Sequence, residues 1–480
     1  MLLLNLLIKP FWIFGIEVGV QNAVGPEEYG FYFSLFSLAY IFNILLDIGI
    51  TNYNTRNIAR HPHLIDQHLS GMLCLKMLLL VLYVVVTFTV GMLKGYGSRQ
   101  FSLLAFLCLN QFLNSLILYL RRNFEGLLLF KWDSVISILD RVVMIIICGC
   151  MLWLPSHPDI RIEYFVYAQT AAYLFTALVA FVVLVTKIRR SHNPHFSLLP
   201  IRYSRSFAVD ILKQSAPFAL LVLLMASYNR IDPVLLEDLA QNGIFQSGIY
   251  AGAFRLLDAL TMIAYLVSVP LLPIFSRLTR EPSPNPQLAS TTRLVFSLMA
   301  VFSIASAVTF SAMSDRLMPL LYRHDIDAFA SVFTILVFDI IPISLTYIFG
   351  TLLTAAGRLR QLNLLAASTL AINVAADLVL IPRYGAVGSA WASLTAQSFM
   401  ALTQTFIAFK TFKFHLSIGY TIKVTAFTLF IVAVNLILAA YGDTLSWWLW
   451  LIAAGLLTLA AAFTLRLIDI KELIIIIKQK

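Results

Sequence analysis

The sequence is poor in charge. Only 12% of its 480 residues are Asp, Glu, Lys or Arg, while 60% are hydrophobic and the mean hydropathy is +0.85. A soluble globular domain carries about 25% charged residues, so the composition excludes an ordinary soluble protein. The apolar runs are roughly 20 residues long, which is the length of a membrane-spanning helix and longer than a barrel strand. The composition therefore predicts an all-α polytopic membrane protein.

Cysteines and catalytic motifs are also scarce. All four cysteines fall inside apolar runs, and Cys148 and Cys150 lack the two-residue spacer of a metal or redox pair. The sequence has no Gly-rich phosphate loop, no zinc-type His/Glu spacing and no nucleophile elbow. The longest predicted outward loop, near 313–327, leaves little room for catalytic groups. These absences argue against an enzyme, and we predict no cofactor and no metal site.

Apolar stretches recur along the whole chain, and about fourteen of them are candidate membrane spans. No loop between them is long enough to hold a soluble domain. Their approximate bounds are 2–24, 30–50, 71–93, 101–120, 134–154, 163–186, 213–236, 244–272, 291–312, 328–356, 361–381, 385–409, 419–441 and 446–466.

The net charge of +10 comes from basic residues spread over short loops. This distribution is typical of membrane topology and argues against a nucleic-acid partner. If the N-terminus is cytoplasmic, most of the 34 Lys and Arg residues, Lys76 among them, fall on the cytoplasmic side. The bias predicts that both termini are cytoplasmic. The basic stretch 187–213, which also contains aromatic and aliphatic residues, is predicted to lie on the cytoplasmic leaflet.

A weak internal repeat suggests two halves. The pattern Gly-x4-Gly-x-Tyr occurs at 25–32, after the first span, and again at 243–250, after the seventh. Duplicated halves are common in transporters. We therefore predict an N-terminal six-helix lobe with a cytoplasmic linker at 1–212, a second six-helix lobe at 213–412, and two additional helices with a cytoplasmic tail at 413–480.

The stretch 216–278 carries charges at membrane depth. Arg230 and Asp232 lie in its first apolar run, and Arg255 and Asp258 lie in its second. Each such charge costs about 2.5–3.5 kcal/mol on insertion scales, so a simple anchor would not carry them. Pro233 removes a backbone donor and disfavours a regular helix. We predict a helix broken at this proline, whose charged side faces a water-filled cavity.

Other polar residues are further candidates for this cavity. Asn110 and Asn114 are candidate substrate contacts, because amide groups suit sugar hydroxyls, and Arg141 is a further candidate as a charge at membrane depth. Glu17 and Asp339 are candidate ion-coupling residues, and Asp339 precedes Pro342 in a possible second broken helix. The alternatives remain open: amides also join membrane helices by hydrogen bonds, and Arg141 can form a solvated pair with Asp140.

Three ordered groups of motifs resemble the polysaccharide-type branch of the multidrug/oligosaccharidyl-lipid/polysaccharide exporter superfamily, which includes O-antigen (Wzx-type) flippases. Any one motif is weak, but the ordered set spans nearly the whole chain. The first group is VGPEEYGFY at 24–32, LLDIGI at 45–50 and RNIAR at 56–60. The second is APFA at 216–219, RID at 230–232, GIYAGAFRLLD at 248–258 and VPLLP at 269–273. The third is TAAGR at 354–358 and AINVAADLVLIPRYGAVGSAWA at 371–392.

The resemblance implies two six-helix lobes around a central cavity, two C-terminal helices and alternating access. It also implies a flippase of the bacterial inner membrane, used in surface polysaccharide biosynthesis and surrounded by membrane lipids. Its cargo would be a polyprenyl-pyrophosphate-linked oligosaccharide, and a cavity arginine of the family falls on Arg230. Glu17 departs from the basic residues that many relatives carry in the first span.

Two other functions remain open at this stage. The first is a multidrug or cation antiporter of the same superfamily, and cavity arginines disfavour its cationic cargo. The second is a membrane enzyme of glycan assembly, such as a polymerase or ligase, which short outward loops disfavour. The glycan carried, coupling to H⁺ or Na⁺, the oligomeric state and the true start codon are not determined by the sequence.

Overall fold

The computed structural model describes residue 8 and residues 10–51, 65–154, 160–191, 205–280, 285–414, 417–440 and 446–468. The start of the first predicted span, the motif at 56–60, the centre of the predicted linker and the predicted tail lie outside these residues. A π-helical turn, Phe11–Glu17, and two 3₁₀ turns, Phe42–Leu46 and Val337–Asp339, interrupt the α-helices. The α-helices are α1 Val18–Ile41, α2 Ile65–Leu93, α3 Ser98–Gly126, α4 Phe130–Trp153, α5 Ile162–Ser191, α6 Arg205–Leu239, α7 Gly243–Ser268, α8 Leu271–Leu278, α9 Pro286–Ala312, α10 Ser314–Leu321, α11 Ile326–Leu336, α12 Ile340–Ala355, α13 Leu359–Phe412, α14 Ile418–Ala440 and α15 Trp447–Thr464.

The predicted fold class is confirmed: the chain is an all-α polytopic membrane protein. Among the described residues, twelve helical segments are long and apolar enough to cross a membrane. The fourteen predicted spans map onto these twelve, because two of the segments, Phe11–Leu46 and Leu359–Phe412, each contain two predicted spans.

The longest helix, α13, reverses its direction at Gly385. This glycine has φ +56° and ψ −132°, outside the helical region. A Cβ on Gly388 would lie 2.4 Å from the carbonyl oxygen of Leu380, and Thr369 Oγ1 lies 3.4 Å from Met400 Sδ. A straight helix would separate Thr369 from Met400 by roughly 45 Å. The two halves of α13 are therefore antiparallel, and each corresponds to one predicted span.

The first apolar segment turns in the same way at Gly25, which has φ +81° and ψ +166°. The rings of Trp12 and Tyr32 both contact Phe165, with centroid distances of 6.2 and 5.5 Å. Trp12 and Tyr32 lie before and after Gly25, so the chain must fold back there. Glycine is suited to both reversals because it adopts positive φ without a steric penalty.

The predicted break at Pro233 is wrong. Helix α6 continues through Pro217 and Pro233 to Leu239. A proline removes one backbone hydrogen bond, and neighbouring groups in a membrane protein can satisfy the carbonyl that it leaves. The second predicted break, near Asp339, corresponds to a change of helix type. The chain passes there from α11 through a 3₁₀ turn, which ends at Asp339, into α12.

The chain divides into two compact units, 1–237 and 238–480. The first unit has an apolar core that includes Met72, Leu120 and Leu184 from three different helices. In the second unit, Val301, Phe427 and Ala462 belong to one buried cluster, which joins the last two helices to α9. The lobe bounds inferred from the sequence remain predictions.

The sequence repeat has the same local structure in both units. The Gly25 reversal has its counterpart at Asn242, which takes φ +54° immediately before α7. Tyr32 stacks on Phe36 with centroids 5.7 Å apart, and Tyr250 stacks on Phe254 with centroids 5.9 Å apart. Both tyrosines are buried. In each unit the motif therefore places a backbone turn before a helical stretch in which a buried tyrosine stacks on a half-buried phenylalanine.

Candidate functional site

Arg230 lies in the middle of the membrane-spanning part of α6 and is half-buried. Its guanidinium carbon is 5.8 Å from the ring centroid of Phe33 and 5.2 Å from that of Tyr40, both on α1. A cation over an aromatic face is attracted by the ring quadrupole, and the attraction grows as water is removed. The side chain is thus held against α1, where it places a permanent positive charge at membrane depth.

Asp232 is two residues from Arg230 on the same helix and is only 1% exposed. Residues two apart on a helix point about 200° from each other. Because α6 is continuous through Pro233, the helix geometry does not bring the two charges together side by side. Asp232 is thus buried within the unit, whereas Arg230 contacts the rings of α1.

Lys76 and Asp47 form a second charged group in the same unit. Lys76 lies within α2 with 1% exposure, buried among helices and not in the cytoplasmic loop assigned from the charge pattern. Its Nζ donates to Leu46 O at 3.1 Å, to Asp47 Oδ1 at 3.1 Å and to Ser115 Oγ at 2.9 Å. An ammonium group has three donors, so all of them are satisfied.

Asp47 Oδ1 also accepts hydrogen bonds from the backbone and hydroxyl of Thr51. The backbone between these two residues has positive φ at Ile48 and Gly49, 40° and 82°. Positive φ is unfavourable for a β-branched residue such as Ile48. Lys76 therefore fixes a strained bend by holding the carbonyl before it and the carboxylate within it.

Arg141 contacts aromatic and acidic neighbours in the first unit. Its guanidinium carbon lies 5.5 Å from the Trp12 ring centroid, and its Nε lies 3.6 Å from Asp140 Oδ2. The predicted Asp140–Arg141 pair is present. Glu17 ends the π-helical turn that carries Trp12 and is 4% exposed. Short π-helical turns occur frequently at functional sites.

The two candidate asparagines on α3 have different surroundings. Asn110 is buried, and its Nδ2 is 3.4 Å from Val166 O and 3.5 Å from Gln169 Oε1. These bonds join α3 to α5. Asn114, one turn further on, is half-buried.

The other candidates lie in the second unit. Arg255 Nη1 is 3.7 Å from Asp258 Oδ2 on the same helix, and the Arg255 side chain is 12% exposed. Asp339 is 1% exposed and accepts a 2.6 Å hydrogen bond from Ser393 Oγ. Among the described residues, no three His, Cys, Asp or Glu side chains are grouped so that they could hold a metal ion.

The sequence did not single out Tyr40, Asn43 or Gln111. Tyr40 is 38% exposed although Arg230 contacts its ring. Asn43 is half-buried and donates through Nδ2 to Gln111 Oε1, which joins the 3₁₀ turn after α1 to α3. One sequence pattern could have indicated a polar helix side here: Tyr40, Asn43 and Asp47 are spaced three and four residues apart.

The fold and these buried charges define an all-α, multi-pass membrane protein. A solved structure of the lipid II flippase MurJ, in an inward closed conformation, has a TM-score of 0.68 with 13% identity, over 96% of this chain and 98% of that chain. An inward-facing multidrug resistance MATE family transporter of the MOP superfamily has a TM-score of 0.62 with 14% identity, over 84% and 94%. An outward-facing one has a TM-score of 0.54 with 14% identity, over 85% and 94%. At these identities the likeness shows the fold alone.

The family follows from the sequence itself. Residues 5–279 match the model of the family described as polysaccharide biosynthesis protein, and the chain belongs to that family. No curated relative matches the sequence. The resemblance found in the ordered motifs is thereby confirmed at the level of the family and the superfamily fold.

Proposed function

We propose that the protein is a flippase for a lipid-pyrophosphate-linked oligosaccharide used in surface polysaccharide biosynthesis. The observation that carries the proposal is Arg230, a half-buried arginine at membrane depth held over Phe33 and Tyr40. Membership of the polysaccharide biosynthesis family and the flippase fold of MurJ support the same function.

The chemistry of the cargo explains the arginine. A pyrophosphate is anionic, and its passage through a low-dielectric region requires a cation. Arginine meets phosphate oxygens with two parallel N–H donors and stays charged at any physiological pH. The aromatic rings of α1 hold the guanidinium plane in place, so less side-chain entropy is lost when the phosphate binds.

Transport then proceeds by alternating access between two lobes, 1–212 and 213–412, with the last two helices at 413–480 in a packing role. Arg141, Arg255 and Asp258 would contact the cargo as well, together with Asn110, Asn114 and Asp232. The protein would lie in the bacterial inner membrane with both termini in the cytoplasm, and the cargo would move from the cytoplasmic to the outer leaflet. Neither catalysis nor a cofactor is part of this mechanism.

A multidrug or cation antiporter is the main alternative, since MATE transporters share the fold. A cationic drug would meet the positive charge of Arg230 at membrane depth and be repelled. The arginine therefore favours an anionic cargo.

Ion coupling through Glu17 and Asp339 is part of the proposal. Both carboxyl groups are buried, and a buried acid in a membrane helix is a typical proton or cation carrier in transporters. We expect Glu17→Gln and Asp339→Asn to reduce transport while membrane abundance stays normal. Normal transport in both variants, and no response to collapsing the proton or sodium gradient, would rule out these two residues as coupling sites.

The function is tested by deleting the gene and locating the lipid-linked sugar. We expect it to accumulate on the inner leaflet, where added glycan-modifying enzymes reach it only in inverted vesicles, and surface glycan to be lost. The intact gene supplied in trans should restore both. A deletion strain with normal surface glycan and an unchanged leaflet distribution would contradict the function. Altered drug susceptibility alone would favour the antiporter.

A further inference from the structure

We propose that Tyr40, Asn43 and Gln111 form a sugar-binding subsite directly beside Arg230. The subsite would recognise the first sugar of the cargo, a hexose or N-acetylhexosamine joined to the pyrophosphate. This inference rests on the proposed function and adds a recognition role for three residues of the first unit.

Tyr40 provides the aromatic surface. Its side chain is 38% exposed, and its ring is tilted against Phe36 at a centroid distance of 6.0 Å. The guanidinium of Arg230 lies 5.2 Å from the same ring. Tyr40 lies on α1 and Arg230 on α6. A charged group is expensive against lipid chains, so we infer that this pair faces a polar space. An exposed aromatic ring in such a space can pack against the apolar C–H face of a sugar.

Asn43 and Gln111 provide the hydrogen bonds. Asn43 lies in the 3₁₀ turn that follows α1, three residues after Tyr40, and its amide is joined to that of Gln111. Neither amide has another hydrogen-bond partner among the described residues. Each carboxamide has two donor hydrogens and one acceptor oxygen. The joined pair therefore keeps donors and an acceptor whichever way the amides are assigned, and this combination matches neighbouring sugar hydroxyls.

The position of these groups follows the covalent structure of the cargo. The first sugar is bonded to the pyrophosphate, so residues that contact it must be close neighbours of the cation that meets the phosphate. Tyr40 satisfies this condition because its ring contacts Arg230, and Asn43 follows three residues later in the chain. The next polar residue along the chain, Asp47, pairs with the buried Lys76, so the two charges neutralise each other there.

The experiment measures binding to purified full-length protein in nanodiscs. Three probes are compared: sugar-free polyprenyl pyrophosphate, and the same lipid carrying one hexose or one N-acetylhexosamine. The wild type should bind a sugar-bearing probe more tightly than the sugar-free one. Tyr40→Leu keeps apolar volume but removes the ring, which also holds Arg230. It should therefore weaken both probes, and the sugar-bearing probe about fivefold more than the sugar-free one. Asn43→Ala and Gln111→Ala should act in the same selective way, by about two- to tenfold.

The controls separate the possible failures. Tyr40→Phe keeps the ring and should bind as the wild type does. Tyr167→Ala removes another exposed tyrosine of this unit, which packs on Phe106 with no cation on its ring in the described part of the chain, and should change nothing. Arg230→Ala should weaken all three probes. If Arg230→Ala does not weaken them, the proposed function is contradicted. The subsite is tested separately, by variants that weaken the sugar-bearing probes more than the sugar-free probe.

Three results would overturn the subsite. The first is equal weakening of all probes by Tyr40→Leu, because the ring would then only hold Arg230. The second is unchanged binding in the Tyr40, Asn43 and Gln111 variants, each with a wild-type melting temperature. The third is a wild type that binds neither sugar-bearing probe more tightly than the sugar-free lipid.

Discussion

Lys76 and Arg230 are both cations in membrane-spanning helices of the first unit, but their burial and their contacts differ. Lys76 is 1% exposed, and its three donors are all bound by oxygen atoms from within the unit. Arg230 is half-buried against two aromatic rings, one of which is substantially exposed. A saturated ammonium group has no donor left for a ligand, whereas a guanidinium on an aromatic face can also bind an anion. The comparison supports a structural role for Lys76 and the proposed cargo role of Arg230.

The largest effect on stability is expected when Lys76 is replaced by methionine. The variant leaves the Asp47 carboxylate without its counter-charge, removes the donor to Ser115 Oγ, and leaves Leu46 O with only the 3.5 Å contact from Ser115 Oγ. Breaking a buried ion pair by removing one partner costs about 3–5 kcal/mol, and Asp47 is 24% exposed, so we expect about 3 kcal/mol. Thermal unfolding of the detergent-purified protein measures this loss.

Two further variants sharpen this prediction. Lys76→Met combined with Asp47→Asn removes both charges and should recover part of the lost stability. Lys187→Met is the matched control, because Lys187 lies 5.3 Å from the exposed ring of Trp132 and such a contact contributes about 0.5–1 kcal/mol. An Lys76→Met protein as stable as the Lys187→Met protein would contradict the structural role.

A smaller effect is expected for Arg255→Gln in the second unit. Arg255 and Asp258 are one turn apart at 3.7 Å, and the acid is 33% exposed. Partly exposed pairs contribute about 1 kcal/mol or less, so the variant should unfold only slightly earlier than the wild type. A loss as large as that of Lys76→Met would show that Arg255 is a second structural cation.

The membrane spans were predictable because each requires a long apolar run, and helix α6 was expected with its two charges. The chain reversals at Gly25 and Gly385 were less clear, since glycine occurs in many turns and helices. Pro233 was taken for a break because a proline disfavours a helix in water. Inside a membrane unit the helix continues, since other groups can satisfy the carbonyl that the proline leaves.

The site was predictable only in part. Arg230 stood out as a charge in an apolar run. Lys76 looked like a loop residue because it is close to the start of a span, and its partner Asp47 is distant in sequence. Tyr40 and Asn43 fit an ordinary apolar span. Their proposed role depends on the contact of Tyr40 with α6 and of Asn43 with α3, which sequence spacing does not reveal. These contacts join helices that are far apart in sequence, so a single sequence does not reveal them.

The central claim is that Arg230 serves the cargo and Lys76 serves the fold. It is tested most directly by surface glycan produced in a deletion strain that carries Arg230→Ala, Arg230→Lys or Asp232→Asn at matched membrane abundance. Losing charge-assisted bonds of about 1.5–3 kcal/mol each should weaken cargo binding roughly tenfold to a hundredfold. We therefore expect Arg230→Ala to abolish transport, Arg230→Lys to retain part of it, and Asp232→Asn to be milder. Normal surface glycan from Arg230→Ala at wild-type abundance would contradict the cargo role, and loss of the protein itself would make Arg230 a structural residue like Lys76.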